Sequence, residues 1–141
     1  MKPPSFARHA ARRPSRRAVP IGCGVDVVKL SRLRQALGRH GAAFLDRVFT
    51  KGEQAYARAR RRTMLLHLAG RFAAKEAVIK AVSQLEPKRM LAMKDIEVRN
   101  DRLGRPHIVL HDRRPRRADV SIYISLSHVD TVAVATAIAM R

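Results

Sequence analysis

The chain has 141 residues, 30 Lys plus Arg against 11 Asp plus Glu, a formal charge of +19, one cysteine and no tryptophan. This length holds one compact domain and excludes a second, and 46% hydrophobic residues argue against a wholly disordered basic protein. No apolar run reaches the ~18 residues of a membrane span, and Cys23 alone builds neither an intrachain disulfide nor a cysteine zinc site. No membrane association and a reducing, cytoplasmic location are therefore expected. The charge calls for an anionic partner without choosing among nucleic acid, lipid, phosphorylated metabolite and acidic protein.

Residues 1–20 carry Lys2, Arg8, Arg12, Arg13, Arg16, Arg17, four prolines and no acid. They read as a disordered basic extension, which removes six of the nineteen charges from the folded part, residues 21–141. No apolar leader core is present in them, and a tail is preferred to an organelle transit peptide. IGCGVDVV, from Ile21, reads as a buried strand ending near Asp26 or Val28. Leu30, Leu33 and Leu37 recur at helical spacing, with Gly38 and Gly41 as stops. Thr50 and Glu53 match a capping box, which starts a helix running to about Arg60. A longer helix is predicted from Thr63 to about Ser83, with Leu65, Leu68, Phe72, Ile79 and Val82 as its apolar stripe and Glu76 inside that stripe.

After Pro87 the period shifts to two. DIEVRND, a turn over residues 103–106 and HIVLH predict a hairpin. Asp112 to Asp119 is a basic loop, RRPRR at its centre. Val120, Ile122, Ile124 and Leu126 alternate with polar or aromatic neighbours as a one-sided strand, and VAVATAIAM alternates large residues with alanine. Together these elements predict an α+β domain, an antiparallel sheet with helices packed on one face.

Asp26 and Glu76 are carboxylates in apolar settings, where each needs a cation or a proton. Together they could hold Mg²⁺, which takes one or two carboxylates and completes its octahedron with waters and phosphate oxygens. Their structural alternatives are Asp26 capping the next helix and Glu76 pairing with Lys80 at i,i+4, and spacing alone favours these. Arg71, Lys75 and Lys80 share the long helix and could clamp phosphate oxygens. GCG at residues 22–24 is too short for a dinucleotide fingerprint. Ser127 and His128 precede a hairpin turn, where the histidine could orient or contact a phosphate, but no nucleophile elbow supports a Ser-His-acid triad. His40, His67, His107 and His111 lack metal-ligand spacing.

GVDVVKLSRL, RVFTKGEQAY, RFAAKEAVIKA and SLSHVDTVAVATAI, in this order and spacing, resemble holo-[acyl-carrier-protein] synthase, the small bacterial phosphopantetheinyl transferase, over about residues 21–141. The resemblance implies Mg²⁺-dependent transfer of the 4′-phosphopantetheine arm from coenzyme A to a serine of apo acyl carrier protein, releasing adenosine 3′,5′-bisphosphate. It implies Asp26 and Glu76 as metal ligands, with Lys80 beside them neutralising pyrophosphate charge. Arg71, Lys80 and His128 would bind coenzyme A, and Arg32 on the first helix would face the carrier protein. It also implies a homotrimer with a coenzyme A site at each subunit interface.

Two departures stand out. The glycine-rich turn usual after the lysine matching Lys80 is replaced by AVSQLEPKRM, and the acid usual three residues after the first aspartate is Lys29. The alternatives are a small basic nucleic-acid-binding protein and a degenerate, inactive family member. Scarce aromatics and the absence of a nucleic-acid module weigh against the former, so no nucleic-acid partner is expected.

Overall fold

The computed structural model describes residues 18–111 and 119–141. Most of the predicted basic extension, and the RRPRR loop, lie outside the described residues. The elements run β1 (Ile21–Lys29), α1 (Leu30–Val48), α2 (Lys51–Arg58), α3 (Met64–Leu85), β2 (Ile96–Asn100), β3 (Pro106–Leu110), β4 (Ser121–His128) and β5 (Val132–Met140). One antiparallel sheet has the order β1-β5-β4, and β2 and β3 form the separate hairpin that the period-two pattern predicts. The α+β architecture follows, with α3 laid across one face of the three-stranded sheet.

Small residues make that packing close. The alanines of β5, Ala133, Ala135, Ala137 and Ala139, are at most 2% exposed, and Ala73, Ala74, Ala77 and Ala81 of α3 meet the same core. A Cβ on Gly24 would stand 1.9 Å from the carbonyl oxygen of Ala77, and one on Gly22 2.0 Å from that of Ala81. The GCG segment therefore serves close helix–sheet approach. Gly24→Ala should force helix and strand apart at about 1–3 kcal/mol or more, which thermal unfolding of the variant would measure.

Three expectations change. The predicted stripe holds in part: Leu68 and Val82 are fully buried, but Leu65, Phe72, Glu76 and Ile79 are only half-buried, and the alanine row with Val78 supplies the rest of the buried face of α3. β1 is buried on one face only, leaving Val25 and Val27 54% and 61% exposed. The first helix does not stop at Gly38; its helical geometry breaks at Gly41, as expected, where φ of 46° and ψ of −124° suit glycine, and a second helical stretch follows to Val48.

The capping box is present. Glu53 N–H donates to Thr50 Oγ1 (3.2 Å), and Thr50 N–H donates to Glu53 Oε2 (2.9 Å). Glu53 does more than cap. Its Oε2 pairs with Lys75 Nζ at 2.6 Å, both side chains being fully buried, and its Oε1 accepts from Val98 N–H at 2.9 Å. Lys75 also donates to the carbonyls of Val48 (2.7 Å) and Met93 (3.0 Å). One buried ion pair thus ties α2, α3, β2 and the end of α1 together. Lys75 cannot clamp a phosphate as expected, because its ammonium points into the interior. Burial pulls its pKa down from the ordinary lysine value, and Glu53 opposes that shift.

Candidate active site

Two groups of candidate residues lie at opposite edges of the sheet. Asp26 in β1 faces Ala135 of β5, and β4 lies on the far side of β5, ending at His128. Two strand spacings, about 10 Å, separate the outer strands.

At the β1 edge, Lys80 Nζ donates to Asp26 Oδ1 (2.9 Å) and to the Val25 carbonyl (2.8 Å). The expected pairing of Lys80 with Glu76 is therefore replaced by a cross-element one. Asp26 does not cap α1 either: the cap position is Lys29, and no side chain bonds there. Glu76 lies close enough to Asp26 to feel its charge. Burial first and Asp26 second push the Glu76 carboxyl above its ordinary value, with Lys80 opposing. Glu76 has no ion pair or hydrogen bond of its own side chain among the described residues.

Asp26 opens onto a cleft of about 590 Å³ between β1, α1 and α3, lined also by Val28, Arg32, Leu33, Phe44 and Phe72. Phe44 and Phe72 stack at 6.4 Å and 15° to form an apolar wall. Arg32 is exposed at the rim on α1. Asp26 and Arg32 thus line one cleft, while Lys80 and Glu76 stand against Asp26, the first through an ion pair and the second through its charge.

At the other edge, Arg71 is 5% exposed and donates from Nη2 to Asn100 Oδ1 (2.9 Å). Its Cζ stands 3.9 Å from the Tyr56 ring centroid, and Arg60 stacks on the same ring at 3.6 Å. His67 meets Tyr56 edge-on at 5.4 Å. Burial, then Arg71, Arg60 and His128 in turn, lower the His67 pKa, which links exposed His128 to this cationic cluster. Tyr56 was legible only as the last residue of RVFTKGEQAY and Asn100 only as part of the predicted hairpin, while Arg60 and His67 gave no sequence signal for this cluster.

At AVSQLEPKRM, which replaces the glycine-rich turn of the resemblance, α3 continues to Leu85. The Gln84 side chain there accepts from Cys23 N–H (3.0 Å) and donates to the Cys23 carbonyl (2.6 Å), capping the free edge of β1. Among the described residues no helix is long and apolar enough to cross a membrane.

Residues 22–137 match the 4′-phosphopantetheinyl transferase superfamily. The chain is 38% identical over 119 residues to holo-[acyl-carrier-protein] synthase of Protochlamydia amoebophila, covering 84% of this chain and 96% of that one. It is 40% identical over 122 residues to the synthase of Moorella thermoacetica, covering 84% and 92%. A synthase–CoA complex from Chronobacterium ammoniagenes superposes with a TM-score of 0.75 at 32% identity, covering 86% of this chain and 97% of that one. The Bacillus anthracis synthase in complex with CoA (3′,5′-ADP) gives 0.70 at 31%, covering 87% and 98%. Matches of this extent, over a fold whose helix α3 carries RFAAKEAVIKA beside Asp26, establish that the chain belongs to the holo-[acyl-carrier-protein] synthase family of phosphopantetheinyl transferases.

Proposed function

We propose that the chain transfers the 4′-phosphopantetheine arm of coenzyme A to a serine hydroxyl of apo acyl carrier protein, using Mg²⁺ and releasing adenosine 3′,5′-bisphosphate, in the cytoplasm. The observation that carries this reading is the carboxylate pair: Asp26 lines an open cleft, and Glu76 stands half-buried beside it with no ion pair of its own among the described residues. A pair of carboxylates suits Mg²⁺, which is held by one or two of them and fills its remaining positions with water and phosphate oxygens. When bound between Asp26 and Glu76, Mg²⁺ would supply electrostatic stabilisation of the pyrophosphate charge.

Attack by a serine hydroxyl on the β-phosphorus spreads charge over phosphate oxygens, so catalysis is mostly positioning and cation placement. Lys80, half-exposed on Asp26, can swing to those oxygens. Arg71 offers a cation and His128 a hydrogen-bonding imidazole to the remaining phosphates. Carrier proteins are acidic in this reading, and Arg32 with Lys29 and Arg34 gives α1 the charge to steer one towards the cleft.

A homotrimer completes the reading. The uncovered sheet face exposes Val25, Val27, Tyr123 and Ile138 by 44–62%, an apolar surface that a neighbouring copy could cover. Covering it with a neighbour would let the Arg71–His128 edge of one copy meet the Asp26–Glu76 edge of another.

Intact-mass spectrometry of apo carrier protein incubated with the enzyme, coenzyme A and Mg²⁺ tests the function. The carrier protein is expected to gain the mass of the phosphopantetheine arm, and excess EDTA to stop the gain. An unchanged mass at saturating Mg²⁺ would refute the reading. Sedimentation equilibrium should return three times the chain mass.

A further inference from the structure

We propose that Asn100 is a positioning residue for Arg71, holding the guanidinium so that its charge stays available to an anionic oxygen of coenzyme A. The inference rests on the coenzyme A reading above. Arg71 is almost wholly buried, yet no carboxylate forms an ion pair with it among the described residues, and its Nε–H is buried without a hydrogen-bond partner there. A buried cation without a counter-charge is costly, and a fold that keeps one gains most when an anion arrives from outside.

Asn100 is suited to hold such a cation. Its Nδ2 donates to the Gly104 carbonyl across the β2–β3 turn (2.8 Å), so its oxygen must point the other way, where it accepts from Arg71 Nη2 (2.9 Å). The Tyr56 ring supports the guanidinium at 3.9 Å. Both supports are neutral. A carboxylate in place of Asn100 would fix Arg71 as well, but it would cancel the charge. Arg60, His67 and His128 add no acid to the cluster, and the Glu53 carboxylate, whose charge also reaches Arg71, is already spent on Lys75. The hairpin turn, far from α3 in sequence, thereby sets where one binding cation stands.

The test compares Asn100→Ala and Asn100→Asp in the full-length protein, with coenzyme A affinity by titration calorimetry and Tm by thermal unfolding. Asn100→Ala is expected to weaken coenzyme A binding roughly fivefold. Asn100→Asp should weaken it further, by roughly tenfold or more, although it keeps an acceptor for Arg71 and holds Tm within a few degrees. A merely structural role predicts the opposite order, with aspartate rescuing what alanine loses. Wild-type affinity in both variants, or rescue by Asn100→Asp, overturns the inference. If the wild-type protein itself binds no coenzyme A, the reading beneath it fails, and that outcome is distinct from equal binding by all three proteins.

Discussion

Glu76→Gln is expected to reduce transfer to the carrier protein by about a hundredfold or more while leaving the fold intact and, at neutral pH, slightly more stable than wild type. The isosteric amide removes one of the two carboxylates that would hold the metal, and with it the repulsion that Asp26 exerts on Glu76. The sign of the stability change follows from linkage. A carboxyl whose pKa is raised by folding binds more protons folded than unfolded in the window between the two values. Its contribution to stability therefore falls as pH rises from the unfolded value, about 4.3, through the raised folded value. The variant escapes that loss, so its Tm should match or slightly exceed the wild type at pH 7 and lose the advantage below pH ~4. Thermal melts at both pH values, beside intact-mass assays, check both halves. Full activity in Glu76→Gln would remove the metal assignment, and a large loss of Tm would make Glu76 a structural residue.

Lys75→Met is expected to lower Tm by about 10 °C or more, because removing one partner of a buried ion pair costs about 3–5 kcal/mol. The variant strands Glu53 uncompensated in the interior and leaves the Val48 and Met93 carbonyls without their donor. Adding Glu53→Gln should recover part of the loss: the charge disappears, while an amide oxygen can still accept from Val98 N–H. Differential scanning calorimetry of the two variants measures this. A normal Tm combined with weakened coenzyme A binding would instead return Lys75 to the phosphate-clamping role that spacing allowed.

The contrast between Lys75 and Glu76 shows where reading the chain stops. Two adjacent helical residues differ by about 100° around the axis, so one enters the core and the other stands half-buried beside Asp26. Nothing local separates them. Lys75 is buried because Glu53, 22 positions earlier, reaches the same point in space. The large-residue stripe was only partly right for a related reason. Glycine and alanine line the closest approach of α3 to β1 and β5, so Phe72 and Ile79 stand half-buried at the border while Leu68 and Val82 are buried.

The sequence by itself determined the features that depend on near neighbours: the Thr50–Glu53 capping box, the long helix, the β2–β3 hairpin, the alternation of β4 and β5, and the motifs that carry the family. Only the tertiary structure decided which cations are free. It assigned Lys75 to the core, Lys80 to Asp26 instead of Glu76, and Arg71 to Asn100 and Tyr56. It also separated the candidate residues into two edges of one sheet. The physical reason is common to these cases: pairing of a charge depends on distance in space and on burial, and sequence separation encodes neither.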